Sequence, residues 1–509
     1  MMQAVHAVRA YPRLPHKVGV AAVLIIAADF LFYDRIPGIS VAFFMLLLTG
    51  GVWYANRLQL GDPATRSALM LTLAGCLALV ENVSWLSGAF ALAGLASLAT
   101  SHRACWHRDN VPWLQMLFRF VKRGLLQPFR DSRIYRKALK KNRGAPIRKQ
   151  QLIAWVLPVG ASLVFAALFA DANPIVADWL AAIGDIDLPE PGRVFFWFIV
   201  AFICWPFIRP RLARFGRMSP TFNPNLVPAA ASMIDILFSA NAILRSLIAF
   251  NAMFAVQTVL DATYLWGGQA LPHGMTYAQY AHRGAYPLVA VALLAAAFVL
   301  VAMRPGSESA RVPFIRLLVY AWVAQTVVLV GASIWRTGLY VSVYSLTYLR
   351  VAAFVWMALV AIGLVSIVLR LAWGKSGAWL IKVNMLTAMA VLYIFCFIDV
   401  GGAIARYNLE HSRAATTPEH SIDLDYIEEI GPAALPALNR YLEASDLIRQ
   451  PVHLMFVRSL RNRLEAKLAE RHRDWRAYTF RSYRLALEVA NSRTEIYDNP
   501  PVDGGWSVE

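Results

Sequence analysis

Charged residues are scarce in this sequence, and their scarcity restricts the class of protein that it can encode. Only 16% of the 509 residues are Asp, Glu, Lys or Arg, whereas 58% are hydrophobic. A soluble domain needs a largely polar surface, but here apolar runs of nearly membrane-spanning length recur along most of the chain. The composition therefore excludes a water-soluble globular protein and predicts an integral membrane protein.

Cysteine is also scarce, and no two of the four cysteines stand in CxxC spacing. Three of them lie inside apolar runs, where a thiol behaves as a small hydrophobic group, so we predict no disulfide framework. The fourth, Cys105, lies between His102 and His107, but no further zinc ligand is nearby. Because no motif of high specificity for a metal, a cofactor or a reaction occurs, we predict no cofactor and name no catalytic residue.

Acidic residues are scarcer than basic ones, with 31 against 49 and a net charge of +18. In a soluble protein this excess would suggest binding to nucleic acid. Here the excess lies mostly in short loops beside apolar runs, where cations favour the cytoplasmic side of a membrane. We therefore predict that nucleic acid is not a partner.

Apolar segments are what the sequence has in abundance, and eleven of them approach the roughly 20 residues that a membrane-spanning helix needs. The predicted fold class is all-α, a polytopic helical membrane protein with a small helical extramembrane domain at its C-terminal end. The predicted spans are Val18 to Tyr33, Ile39 to Tyr54, Ser67 to Val80, Val83 to Thr100, Leu152 to Ala170, Val194 to Ile208, Ile243 to Leu265, Tyr286 to Met303, Phe314 to Ile334, Val351 to Leu371 and Leu380 to Phe397.

The link after the fourth span predicts the orientation. It is rich in Lys and Arg and nearly free of acid, so it should be cytoplasmic. An even number of spans before it and an odd total place the N-terminus inside and the C-terminus outside. The predicted parts are 1–100 with spans one to four, 101–150 as a basic interfacial linker, 151–398 as a membrane core with spans five to eleven, and 399–509 as a helical extramembrane tail.

Lipids and proteins are the predicted partners. Apolar and aromatic residues stand beside the cations of the linker from Trp113 to Phe120, which is typical of a helix that lies on an anionic leaflet. We predict membrane lipids as partners, with anionic lipid at this linker. A topology determinant that binds lipid nonspecifically, or a helix for a specific partner, is the alternative. The tail is a further candidate for binding a protein partner.

Tyrosines and arginines cluster in three places on the predicted outer face. Arginine can bind a phosphate or carboxylate with two hydrogen bonds, and phenols can complete the shell. The first cluster can instead anchor helix ends at the level of the headgroups, and the stretch from Arg336 to Arg350 can instead form a structural re-entrant helix held by the same hydrogen bonds. The spacings of four, four, three and three in Arg336, Tyr340, Tyr344, Thr347 and Arg350 predict one helical stripe. The candidate ligand-binding residues are Tyr277, Tyr280, Arg283, Arg336, Tyr340, Tyr344, Arg350, Arg406 and Tyr407.

An acidic residue within a predicted span completes the candidate site. Asp261 follows Gln257 by four residues near the outer end of span seven. An ionisable group at this depth needs a partner, and Arg283, Arg336 or Arg350 could supply it. The pair would then either lock helices together or leave a functional carboxylate at the outer face.

Four stretches of the sequence carry a family resemblance. TYAQYAHRGAY, the stretch from Arg336 to Arg350, IARYNL and LDYIEEIGPAALPAL resemble bacterial multipass proteins catalogued as domain of unknown function 4173. The resemblance covers roughly Asp261 to Leu438. It implies a polytopic protein of the bacterial inner membrane with a helical extramembrane tail, and it implies no established activity.

Three functions are weighed from these features. We predict a non-catalytic membrane protein that binds an anionic ligand, a lipid headgroup or a partner at its outer face, in envelope sensing or signalling. A transferase acting on lipid-linked substrates would need an outer carboxylate, for which the candidates are Asp171, Asp178, Asp185 and Asp187. A transporter is the third function. Transporters usually contain inverted repeats, and the sequence shows none, which argues against this function.

Overall fold

Helices form all the regular structure in the part of the chain that can be described. The computed structural model describes residues 14–101, 113–124, 127–131, 190–210, 239–266, 290–295, 297–300, 302–303, 308–414, 423–445 and 451–498. No strand occurs in these ranges. The all-α fold class is therefore confirmed.

Seven helices in these ranges are long and apolar enough to cross a membrane, which makes the chain a membrane protein. They are Ile39–Asn56, Pro63–Glu81, Pro191–Ile208, Ala240–Tyr264, Pro313–Tyr344, Tyr348–Ala372 and Gly377–Phe395. The predicted fourth and eighth spans correspond to the shorter apolar helices Trp85–Ser101 and Ala290–Leu300. The predicted fifth span, Leu152 to Ala170, lies outside the described residues. The count of eleven and the orientation stay predictions.

Contacts divide the chain into two units: Met1–Gly216 with Asp474–Phe480, and Arg217–Arg473 with Arg481–Glu509. The four predicted parts follow hydropathy rather than contacts and stay a prediction. The helices of the first unit are α1 (Leu14–Phe32), α2 (Ile39–Asn56), α3 (Pro63–Glu81), α4 (Trp85–Ser101), α5 (Trp113–Gly124) and α6 (Pro191–Ile208).

Small residues let α3 and α4 pack closely. A Cβ atom built on Gly94 would lie 2.6 Å from the Cα atom of Thr72, and one built on Gly75 would lie within 3.0 Å of the Ala91 backbone. Close approach through small residues is the usual way for apolar helices to associate in lipid, where burial of apolar surface gives no driving force between them. The two helices therefore form a tight hairpin.

Polar contacts join α1 to α6. Arg193 donates to Asp29 at 2.8 Å, and Trp197 Nε1 donates to the same carboxylate oxygen at 2.8 Å. At the other ends of these helices, the Lys17 ammonium donates to the Ile208 carbonyl at 2.7 Å. Because each contact joins the start of one helix to the end of the other, α1 and α6 run antiparallel.

The second unit contains apolar helices followed by a helical tail. Its long apolar helices among the described residues are α7 (Ala240–Leu260), α8 (Pro313–Tyr344), α9 (Tyr348–Ala372) and α10 (Gly377–Phe395). Trp322 of α8 is 3% exposed and stacks on Phe250 of α7 at 5.1 Å between ring centroids. The tail helices are α11 (Val400–Ala414), α12 (Leu424–Ile430), α13 (Leu435–Ser445), α14 (Pro451–Arg473) and α15 (Phe480–Asp498).

The tail has a hydrophobic core of its own. Tyr441 of α13 is fully buried, and it packs with Leu409 of α11, Leu464 of α14 and Val489 of α15. Gly431, with φ of +80°, ends α12 in a conformation that favours glycine. The described parts of the predicted tail are therefore helical and share one hydrophobic core.

Candidate functional site

The acidic residue of the candidate site is paired with an arginine inside the second unit. The helix α7 ends at Leu260, and the chain continues as a wider π-helical turn that begins at Asp261. The Arg336 guanidinium of α8 donates to Asp261 Oδ1, and Gln257 Nε2 donates to the same oxygen at 2.9 Å. Of the three arginines considered as partners, Arg336 makes this contact and Arg350 contacts backbone carbonyls instead, whereas Arg283 lies outside the described residues.

Burial determines what this pair can do. The side chains of Arg336 and Asp261 are 3% and 2% exposed, so both charges are removed from solvent. Their opposite charges cancel, and the contact joins α7 to α8. An ion pair of this kind fixes the relative position of two helices, because separating it would leave two unpaired charges in an apolar region. The Arg336 guanidinium is therefore engaged within the protein, and its predicted role in ligand binding stays a prediction.

The predicted stripe from Arg336 to Arg350 does not form one helix. The helix α8 ends at Tyr344, because Ser345 adopts a left-handed φ of 65°. Thr347 then caps the next helix, with its side-chain oxygen accepting from the Arg350 N–H at 3.4 Å. Arg336, Tyr340 and Tyr344 share α8, whereas Arg350 belongs to α9. The prediction of a continuous stripe was wrong.

Arg350 instead stabilises the end of α8. Its guanidinium donates to the carbonyl oxygens of Tyr344 and Ser345. It also lies over the Tyr340 ring at 4.6 Å, and the Tyr340 and Tyr344 ring centroids are 4.6 Å apart. A cation at a helix C-terminus interacts favourably with the exposed carbonyls and with the helix dipole. The arrangement accounts for Arg350 by contacts within the protein.

The first tail helix binds the turn between α8 and α9. The Asn408 side chain accepts from the Leu346 N–H at 2.6 Å and donates to the Leu346 carbonyl at 2.9 Å. The Tyr426 hydroxyl of α12 accepts from the Tyr348 N–H at 2.9 Å. Burial raises the pKa of the Tyr426 phenol, so the phenol stays protonated at neutral pH. We call these contacts of Asn408 and Tyr426 with the turn the tail clamp.

Close packing and ionic contacts support the tail clamp. A Cβ atom on Gly401 would lie 2.6 Å from the Tyr348 hydroxyl, so only glycine fits there without a shift. Arg481 of α15 donates to the carbonyl oxygen of Cys396, just after α10, at 2.8 Å. Its guanidinium also lies 4.0 Å from Asp399. Among the described residues of the second unit, the tail therefore contacts the turn after α8 and the residues that follow α10.

The third predicted cluster lies on α11. Arg406 is exposed, and the Tyr407 ring stacks on His411 at 3.8 Å between centroids. Burial raises the pKa of Tyr407. Arg406 thus remains accessible to a ligand, on the same helix as Asn408. The first cluster, Tyr277, Tyr280 and Arg283, lies outside the described residues.

The contacts that form the tail clamp could not be predicted from the sequence. Asn408 follows Arg406 and Tyr407 directly, but neither its spacing nor its residue type indicates a bond to a backbone 62 positions away. Tyr426 lies in the stretch LDYIEEIGPAALPAL, which carries the family resemblance but does not indicate a partner, and Arg481 lies in none of the four stretches. Within the described ranges, no group of three or more His, Cys, Asp or Glu is placed to hold a metal ion. The carboxylates considered for a transferase, Asp171 to Asp187, lie outside those ranges.

Comparisons with known proteins give a family and no activity. A family model described as a domain of unknown function, DUF4153, matches residues 68–441. The predicted resemblance is confirmed at the level of a domain of unknown function, whereas the particular family 4173 is not. No curated protein and no solved structure matches the chain.

Proposed function

Since this chain belongs to the family described as a domain of unknown function (DUF4153), we propose its function from the junction between its tail and its membrane helices. The protein is a non-catalytic, multipass protein of the bacterial inner membrane. Its tail and outer helix ends bind a ligand or a protein partner. Binding displaces the tail, and the junction couples this displacement to the membrane helices. Envelope sensing or signalling is the setting for such a protein.

The tail clamp is the observation that supports this function. Only four residues separate α10 from α11, and the double hydrogen bond from Asn408 fixes α11 to the turn between α8 and α9. A tail on a flexible linker would move independently of the membrane helices. A tail held by these contacts cannot move without displacing helix ends, and such a coupled element is what a signal across a membrane requires.

The contacts of the arginines indicate where an anionic ligand could bind. Arg336 contacts Asp261, and Arg350 contacts carbonyls at the end of α8. These contacts make the two arginines weaker candidates for binding an anion than their sequence pattern suggested. Arg406 is exposed on α11 and offers a guanidinium to a phosphate or carboxylate. We place the ligand or partner at the exposed side of α11, with an anionic group bound by Arg406.

Growth of a deletion strain under envelope stress tests this proposal. The strain is complemented with the wild-type protein, with Asn408→Ala, and with Asn462→Ala as a matched control at an exposed position of α14. We expect the wild type and Asn462→Ala to restore growth. Asn408→Ala should insert and fold yet fail to restore it, because α11 is released from the turn. Hydrogen exchange should show faster exchange in 345–348 and 400–414 for Asn408→Ala alone.

Two results would contradict the proposal. Full rescue by an Asn408→Ala protein whose junction exchanges faster would show that coupling is not required. If Arg406→Gln restored growth as well as the wild type does, the anionic ligand would be removed from the proposal. The proposed coupling between tail and membrane helices would not be affected by that result. The two parts are therefore tested separately.

A further inference from the structure

The helix α5 is held against the end of an apolar helix in the first unit. Trp113 Nε1 donates to the Ser97 hydroxyl at 2.9 Å. The Thr100 hydroxyl lies 3.5 Å from the sulfur atom of Met116. Since Ser97 and Thr100 belong to the last turns of α4, α5 begins where that apolar helix finishes.

Phe120 of α5 and Asp131, which follows α5, both contact a second apolar helix. The Phe120 ring lies 5.1 Å from the Phe207 ring near the end of α6. Asp131 is 3.2 Å from the Arg209 guanidinium, and it accepts from Trp205 Nε1 at 3.1 Å. When α6 crosses a membrane, its end lies at the level of the lipid headgroups. Contacts at both ends therefore hold α5 at that level.

Side chains of three kinds occupy three faces of α5. Met116 and Phe120, which are 5% and 7% exposed, face the protein. Phe118 and Val121 are 70% and 57% exposed and lie three residues apart, which places them on a second face. At 3.6 residues per turn the basic residues fall on a third face, beyond Phe118. These exposed cations are Arg119, Lys122 and Arg123.

We propose that α5 is a docking surface for anionic lipid headgroups. Phe118 and Val121 enter the boundary of the acyl chains, and the three cations bind the phosphate oxygens of the headgroups. The helix contains no Asp or Glu, so its charge is uniformly positive. Lipid is the occupant because the helix is fixed at headgroup level and because its apolar face adjoins its cationic face. An acidic protein would not need an apolar face at that depth.

The test compares lipid retention by the full-length protein in nanodiscs of phosphatidylglycerol and phosphatidylcholine. Native mass spectrometry counts the phosphatidylglycerol that stays bound after release from the nanodisc. The variants are the α5 triple Arg119→Gln/Lys122→Gln/Arg123→Gln and the control triple Arg471→Gln/Arg473→Gln/Arg484→Gln. The control removes the same charge from exposed positions of the tail. We expect the α5 triple to bind phosphatidylglycerol roughly tenfold or more weakly, and the control to bind it as the wild type does.

The apolar face has its own variant. Phe118→Ser/Val121→Ser leaves the charge unchanged, so weaker retention by this variant assigns part of the binding to apolar insertion. Thermal unfolding shows whether each variant is folded, which we expect because all the changed side chains are exposed.

Three outcomes overturn the proposal. Unchanged retention in a folded α5 triple would show that these cations do not bind lipid. Equal losses in both triples would show that net charge alone retains it. Capture of an acidic protein by α5, with no preference for phosphatidylglycerol over phosphatidylcholine, would make the helix a protein-binding surface.

Discussion

Because Asp261 and Arg336 form a buried pair, single substitutions at these two positions should lower the stability of the protein. Removing one partner of a buried ion pair leaves an uncompensated charge, which costs about 3–5 kcal/mol, whereas replacing both by apolar groups of similar volume is often neutral. We expect Asp261→Asn and Arg336→Ala to lower the unfolding temperature, and Asp261→Leu/Arg336→Met to restore most of the loss. Thermal unfolding in one detergent measures all three.

A change at an exposed acid provides the control for this prediction. Asp425 lies on α12 and is exposed, so Asp425→Asn should unfold at the wild-type temperature. An Asp261→Asn protein that unfolds like the wild type but no longer restores growth would mean that the carboxylate acts on a ligand. The pair would then be functional rather than structural.

Individual residues of the candidate site were predictable to different degrees. Asp261 stood out because a carboxylate four residues from Gln257 within an apolar run needs a partner, and three arginines were considered for that role. The role of Arg350 was not predictable, since it depends on the end of α8 at Ser345. No Gly or Pro marks that end. Asn408, distant in the sequence, holds the turn that follows.

Glycines in the hairpin of α3 and α4 allow a test at the scale of the element. A Cβ atom on Gly75 would meet the Ala91 backbone, whereas one on Gly88 would meet nothing within 4 Å. We expect Gly75→Ala to lower the unfolding temperature, because the two backbones must separate. Gly88→Ala should leave it unchanged or raise it slightly, because alanine favours a helix by about 1 kcal/mol over glycine. Thermal unfolding compares the two. Equal effects would mean that the hairpin is not closely packed at Gly75.

Hydropathy predicted where helices occur better than where they end. The predicted ninth span stops at Ile334, where the sequence becomes polar, but α8 continues to Tyr344. Arg336 is tolerated within the helix because Asp261 neutralises its charge. A local average of hydropathy cannot detect this, since the neutralising group lies 75 residues away. The same limit applies to the tail clamp, whose bonds join separate elements.

At the scale of the whole molecule, the orientation of the second unit in the membrane follows once the side on which its tail lies is known. The end of α8, the start of α9, the end of α10 and the tail share one end of the helices, since Asn408, Tyr426 and Arg481 join them. The opposite end carries Arg311 and Lys375. Because cations favour the cytoplasmic side, we predict that the tail lies outside.

Labelling with a membrane-impermeant maleimide tests this orientation in a protein whose native cysteines are replaced. Asn462→Cys on α14 should react in intact spheroplasts, whereas Arg123→Cys on α5 should react only after lysis. Reaction of both in intact spheroplasts would mean that an even number of spans lies between the two positions, so the predicted odd number would be wrong. Because the tail is tied to the ends of α8 and α10, labelling of Asn462→Cys only after lysis would place the Asp261 and Arg336 end of the second unit in the cytoplasm. The proposed outer ligand site would then face the wrong side, and the function proposed for it would fail irrespective of how many spans precede it.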